Sequence, residues 1–87
     1  MKARVEHVGL SVRDLDRSIS FYVDIMGLTL VRVLEADADS QLGEVVGLPG
    51  CAARIAHLDS DGAMLELFEY TSPRGAAIPE SRSQADN

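Results

Sequence analysis

Two side chains of the kind that bind metals, His7 and Glu66, stand in segments whose apolar residues alternate as they do in β-strands. Successive side chains of a strand point to opposite faces, so Glu66 lies on the face opposite to Leu65 and Leu67. By the same rule, His7 lies on the face opposite to Val8. If the two strands are neighbours, a neutral imidazole and a carboxylate converge and can bind one divalent ion.

The same two residues also have an ordinary structural interpretation. A histidine near the start of a strand is usually exposed or hydrogen-bonded, and a glutamate in an alternating strand is usually solvated. Two ligands are too few for a tight site. His57, in a segment with Ala53 and Ile55, supplies a third ligand only if it faces the same way. The spacing therefore predicts a candidate pair that needs further donors.

Composition limits the class of protein and of partner. A chain of 87 residues, 46% of them hydrophobic, forms one small domain of the size that oligomerisation often completes. The net charge of −6 disfavours nucleic acid and anionic membranes as partners, because both select basic surfaces. No apolar segment approaches the roughly 20 residues that span a bilayer.

The single cysteine, Cys51, cannot form an intramolecular disulfide, and no obvious base lies near it in the sequence. We therefore expect it to fill a small apolar site, not to act as a nucleophile. The N-terminus does not resemble a signal peptide. These features favour a reducing cytoplasm.

The first elements that must position the candidate pair are a strand and a helix. Arg4–Val12 alternates as a strand covered on one side. The following run, DLDRSISFYVDIMG, has apolar residues at helical spacing, with Asp14 as the N-cap and Gly27 as the stop. The aliphatic face of each strand is the surface that this helix is expected to cover.

Three further strands follow. They are predicted at Leu28–Leu34, Cys51–Leu58 and Ala63–Tyr70, and the Asp61-Gly62 pair predicts a hairpin between the last two. Between the first two of them, DSQLGEVVG predicts only a short helix interrupted by Gly43. The order is therefore β-α-β-β-β. Residues 1–70 form the predicted module, and residues 71–87 are predicted to be a flexible linker or arm.

The motifs of this chain resemble a known family. The run EHVGLSVRDLDRSISFYVDIMGLTLV resembles the opening of the vicinal oxygen chelate superfamily, which includes glyoxalases, bleomycin-resistance proteins and extradiol dioxygenases. VVGLPGCAARIAHL and MLELFEYTSPRG resemble the rest of one module, so that the resemblance covers about Glu6–Gly75. It implies an α+β fold: a curled, mixed four-stranded sheet of order 1-4-3-2 around a cavity, with the helix on the convex side.

The resemblance also implies roles for particular residues. His7 matches the family's metal histidine of the first strand, and Glu66 matches its metal glutamate of the fourth. A divalent ion (Fe, Ni, Co, Mn or Zn) would then chelate neighbouring oxygens of a small-molecule substrate and stabilise an enediolate or oxyanion, with Glu66 as the catalytic base. Met64, Phe68 and Tyr70, with His57, would line the substrate cavity.

The chain departs from the family in length, because family members usually carry two modules around each cavity. The sequence is therefore expected either to be part of a longer protein or to form a homodimer in which both chains contribute His7 and Glu66. Two other functions stay open. One is a metal-free drug-binding protein of the bleomycin-resistance type, and the other is an Fe(II) extradiol dioxygenase, which needs a second histidine.

Overall fold

The structure, a computed structural model of the chain, describes residues 6–81, 83 and 85. The elements occur in the predicted order, with the expected short helix between the second and third strands. They are β1 (His7–Ser11), α1 (Leu15–Ser20) continued by a π-helical turn (Phe21–Ile25), β2 (Thr29–Ala36), α2 (Leu42–Val46), β3 (Ala52–Ser60) and β4 (Ala63–Ser72). Arg4 and Val5, assigned to the first strand from the sequence, lie outside the described residues.

The four strands form one open, mixed sheet of order β1-β4-β3-β2, as the resemblance implies. β1 and β4 are parallel, whereas β4, β3 and β2 are antiparallel to their neighbours. α1 connects β1, at one edge of the sheet, with β2, at the other edge. This crossover leaves β1 free to pair with β4, the last strand of the chain. The predicted α+β fold is confirmed, and the sheet is not closed into a barrel.

The hydrophobic core lies on the face of the sheet that α1 covers, here called the helix face. Its fully buried members are Leu15 of α1, Ala56 and Leu58 of β3 and Leu67 of β4. Partly buried apolar residues pack around them: Val12, Ile19, Tyr22, Val23, Leu28 and Leu65. The opposite face of the sheet, which α1 does not cover, is called the open face.

The helix covers less of the sheet than the alternating pattern predicts. A helix is about 10–12 Å across with its side chains, whereas four strands spaced by about 4.8 Å span about 14 Å between the axes of the outer two. The core residues of the sheet therefore come from β3 and β4. On the helix face of β1, Val8 is 52% and Leu10 is 39% exposed, whereas Val12, the residue that follows β1, packs against the core.

The start of α1 is fixed by carboxylates from two parts of the chain. As predicted, Asp14 is the N-cap, and its Oδ1 accepts a hydrogen bond from the Arg17 amide at 3.1 Å. Glu69 of β4 reaches across the helix face, and its Oε2 accepts from the Leu15 amide at 3.0 Å. Both bonds satisfy backbone donors that a helix leaves unpaired at its first turn. β4 therefore holds α1 in place from the helix face.

Arg54 of β3 joins this capping arrangement from the side. Its Nη2 lies 3.1 Å from Asp16 Oδ1 in the first turn of α1, and its Nη1 lies 3.6 Å from Glu69 Oε1. The hydrogen bond with Asp16, followed by the charges of Asp16 and Glu69, raises the pKa of Arg54, while desolvation lowers it. The guanidinium therefore links the helix start to two strands of the sheet.

The turns agree with the sequence with one exception. Asp61 (φ 47°) and Gly62 (φ 96°) form the predicted hairpin turn, and Gly27 (φ 79°) follows the helical segment as predicted. Gly43 does not interrupt the short helix, so that prediction was wrong: it lies inside α2, which ends at the left-handed Gly47. Gly43 is needed for space, because a Cβ there would lie 2.6 Å from the carbonyl oxygen of Leu48.

The segment after β4 has no regular structure among its described residues. β4 itself runs to Ser72, two residues past the boundary predicted at Tyr70, and the described residues beyond it are exposed. The division into a module and a linker therefore stays a prediction. No helix in the described part of the chain has the length and hydropathy of a membrane-spanning segment.

Candidate functional site

The strand register places all three candidate side chains on the open face. Paired residues of neighbouring strands share a face, and Glu66 pairs with His57 on one side and with Gly9 on the other. His7 pairs with Met64, two residues before Glu66 on the same strand. His7, His57 and Glu66 therefore project from the side of the sheet that α1 does not cover.

His7 and Glu66 are diagonal neighbours on adjacent parallel strands. One strand spacing of about 4.8 Å and two residues of rise, about 6.6 Å, separate their backbones by roughly 8 Å. Gly9 lies beside His7 on this face and directly opposite Glu66, so β1 itself projects no side chain between them. His7 and Glu66 therefore lie diagonally across Gly9 from each other, beside the ring of Phe68.

Glu66 already has a hydrogen-bond partner on the neighbouring strand. His57 Nε2 lies 2.6 Å from Glu66 Oε2, with 13% of the histidine side chain and 24% of the glutamate side chain exposed. The other ring nitrogen, His57 Nδ1, lies 2.6 Å from Arg32 Nη1. Three side chains on three adjacent strands thus form one hydrogen-bonded row, which is called the Arg32–His57–Glu66 row below.

Arg32 was not among the residues predicted for the site. In the sequence it is simply a charged residue between Val31 and Val33, and regular alternation from Leu30 would place it on the helix face. A bulge between Leu30 and Arg32 shifts the register, so that Arg32 pairs with His57. One extra residue in a strand reverses the face of every residue after it, and periodicity cannot reveal where that happens.

The predicted cavity residues also lie on the open face. Met64, Phe68 and Tyr70 are half-buried, and the rings of Phe68 and Tyr70 stack at 5.9 Å with an angle of 12°. Phe68 extends over Gly9, where an added Cβ would lie 3.4 Å from its ring. Burial, with smaller contributions from Cys51 and Glu66, raises the pKa of Tyr70. These residues form an apolar wall beside Glu66.

An open cleft of about 520 Å³ lies at the end of this wall. Its lining comes from the end of β1, the loop before β3, and the segment after β4. Of the predicted site residues only Tyr70 contributes to it; the lining is completed by Ser11, Val12, Arg13, Leu48, Arg74, Gly75, Ala76, Ala77 and Ile78. The cleft does not include the two metal-binding candidates, His7 and Glu66.

A complete metal centre is not present within the described residues. No three side chains of the His, Cys, Asp and Glu types gather around one point there. His7 and Glu66 give two donors, while both ring nitrogens of His57 are engaged by Arg32 and Glu66. Cys51 is 1% exposed, as predicted for a residue that fills an apolar site. The open face therefore carries two candidate metal donors, His7 and Glu66, without a third in the described part of the chain.

Comparison with known proteins now places the chain. Residues 4–85 match the Glyoxalase/Bleomycin resistance protein/Dioxygenase superfamily. The chain belongs to this superfamily. The resemblance drawn from the motifs is thereby confirmed, and with it the open, mixed sheet and the strand order of one module.

Solved structures of similar proteins are about twice as long. A glyoxalase family protein from Bacillus cereus superposes with a TM-score of 0.78 at 26% identity, over 90% of this chain and 52% of that one. The protein SMU.1112c superposes with a TM-score of 0.56 at 26% identity, over 97% of this chain and 56% of that one. No curated protein matches the sequence at a significant level. This chain therefore spans about half the length of the solved structures it matches.

Proposed function

We propose that this chain is one half of a glyoxalase-like metalloenzyme that acts on a small molecule with two neighbouring oxygens. The observation that supports the proposal is the position of His7 and Glu66, which share the open face of adjacent strands at diagonal positions across Gly9. An imidazole and a carboxylate suit Fe, Ni, Co, Mn or Zn, so the donor types fit a divalent ion.

The remaining ligands come, in this proposal, from a second module. Two donors leave a divalent ion under-coordinated, and the matched solved structures are about twice the length of this chain. A second copy of the chain, or a second module of a longer protein, supplies another histidine and glutamate. In the homodimer this predicts one ion for every two chains, because each site takes two ligands from each partner.

The residues of this chain have distinct tasks around the ion. A bound divalent ion supplies Lewis acidity, which polarises the neighbouring oxygens of the substrate. Glu66 takes up, in this proposal, a proton from the carbon beside those oxygens; 24% of its side chain is exposed on the open face. Phe68 and Tyr70 hold the carbon skeleton and limit the access of water. The reaction class is therefore an isomerisation, epimerisation or lyase reaction.

A metal-free binding protein of the drug-sequestering kind is the second candidate. It is favoured by the hydrogen bond from His57, which satisfies Glu66 without an ion, and by the stacked Phe68 and Tyr70, which offer a platform for a planar ligand. An extradiol dioxygenase is less well supported, because it needs a second free histidine. His57 does not provide one while Arg32 and Glu66 occupy its ring nitrogens.

Metal analysis of protein purified without chelators separates the two candidates. The metalloenzyme proposal expects a divalent metal in the parent protein, with His7→Ala and Glu66→Gln each losing it while the fold is retained by circular dichroism. Glu44→Gln is the matched control, since Glu44 is an exposed glutamate on α2. If the parent holds no metal and takes up none on titration with the five candidate ions, the metal-free binding function replaces the proposal.

A further inference from the structure

We infer that Arg32 and His57 are positioning residues that hold the Glu66 carboxylate by Oε2 and leave Oε1 free to bind. This inference rests on the proposed function for the role of Glu66, but the hydrogen-bonded row itself exists without a metal. Neither Arg32 nor His57 would then touch the ion. They act on it through Glu66, which they orient on the open face.

The positions of the protons follow from the donor chemistry of the row. A guanidinium has only N–H donors, so Arg32 Nη1, at 2.6 Å, requires a bare lone pair on His57 Nδ1. The ring proton then lies on Nε2 and is donated to Glu66 Oε2 at 2.6 Å. The row therefore runs in one direction, with Arg32 as the first donor and Glu66 as the final acceptor.

This direction excludes His57 as a metal ligand. A ligating imidazole offers a ring nitrogen without a proton, and the only such nitrogen here accepts from Arg32. The usual arrangement, in which a carboxylate orients a ligating histidine, is reversed: here the histidine orients the carboxylate. The hydrogen bond to Oε2 restricts rotation about the last bond of the Glu66 side chain, so the inferred contact with the ion is made by Oε1.

The register of the strands places the three residues of this row side by side across the sheet. Arg32, His57 and Glu66 are paired residues on β2, β3 and β4, so they form a straight line perpendicular to the strands. Arg32 reaches this line only because of the bulge after Leu30, which moves it from the helix face to the open face. The ion pairs within the described residues do not include Arg32, so its resolved partner is His57.

Nuclear magnetic resonance of the imidazole nitrogens tests the row directly. The chain has two histidines, so ¹⁵N–¹H correlation spectra contain two sets of ring signals, which His7→Ala assigns. In the metal-free parent we expect His57 to carry its proton on Nε2. On addition of Zn²⁺, which is diamagnetic, the ring signals of His7 should shift strongly, while His57 keeps its Nε2 proton.

Two substitutions then test the role of each positioning residue. Arg32→Met removes the donor to Nδ1 and should change the ring signals of His57, whereas Arg32→Lys should restore part of the parent pattern. His57→Leu should weaken Zn²⁺ binding by about 10–100-fold, the range for partners that orient a ligand. Arg17→Met is the matched control, because Arg17 is an exposed arginine on α1, on the other side of the sheet.

Several results would overturn the inference. A proton on Nδ1 of His57 in the parent would reverse the direction of the row. Loss of the Nε2 proton on binding Zn²⁺ would make His57 a ligand. Parent-like Zn²⁺ affinity in His57→Leu would show that Glu66 needs no positioning. If the parent binds no metal at all, the proposed function is wrong, and Arg32 and His57 do not position a metal ligand. The imidazole spectra still decide, in that case, whether the hydrogen-bonded row exists.

Discussion

Replacing Glu69 should separate the stability of the helix face from the chemistry of the open face. β4 carries Glu66 on the open face and Glu69 on the helix face, three residues apart. Glu69 contacts the start of α1 through the Leu15 amide and contacts Arg54 at 3.6 Å. Glu69→Ala removes both contacts and leaves the Arg32–His57–Glu66 row unchanged.

The size of the effect follows from those two contacts. Loss of a side-chain acceptor at a helix start costs about 0.5–2 kcal/mol. The ion pair with Arg54 is partly exposed, with 33% and 18% of the two side chains accessible, so solvent screening keeps its contribution small. We expect a loss of about 1–2 kcal/mol, which lowers the midpoint of thermal unfolding by roughly 4–16 °C in a domain of this size.

Urea and thermal unfolding of Glu69→Ala, Glu69→Gln and the parent measure this loss. Glu69→Gln keeps an oxygen for the Leu15 amide and loses the charge, so it should retain most of the stability. Glu44→Ala, on the exposed surface of α2, is the control and should change little. A free energy of unfolding of Glu69→Ala within about 0.3 kcal/mol of the parent value would contradict this prediction. Loss of metal binding in Glu69→Ala with the fold intact would contradict the separation of the two faces.

Two further predictions concern the core and the alkaline limit. Leu67 is 0% exposed, so Leu67→Ala should lower the free energy of unfolding by about 2–5 kcal/mol. Leu34→Ala, at an exposed position of the open face, should lower it much less. Urea unfolding measures both variants, and equal losses would count against the assigned core. Burial raises the pKa of Tyr70 above its usual 10.0, so the unfolded chain loses this proton first, and stability should fall as the pH rises through about 10. Tyr70→Phe should lessen that fall without affecting stability at neutral pH, and an unchanged alkaline decline would contradict it.

The strands and their faces could be predicted from the sequence because a side-chain period of two survives in β1 and β4. That period put His7 opposite Val8 and Glu66 opposite Leu65, and the register agrees. The adjacency of β1 and β4 came instead from the family resemblance. The alternation of apolar residues predicts the two faces of each strand but not which strands become neighbours in the sheet.

The parts that could not be predicted depend on tertiary structure or on local irregularity. The bulge that brings Arg32 to His57 adds one residue without any glycine or proline to mark it. The cap from Glu69 to Leu15 joins residues 54 positions apart. Gly43 lies inside a helix because the following loop packs against it, although its helix propensity alone suggests an interruption. Each depends on contacts that form only in the folded chain.

The central claim, that His7 and Glu66 bind one ion together, is tested most directly by a double-mutant cycle on Zn²⁺ affinity. Calorimetric titration of the parent, His7→Ala, Glu66→Gln and the double variant provides the four values. We predict that each single substitution weakens binding by at least about 10-fold and that the double substitution costs little more than the larger single one, because either loss breaks the shared site. Parent-like affinity in both single variants, or losses that simply add, would contradict the claim.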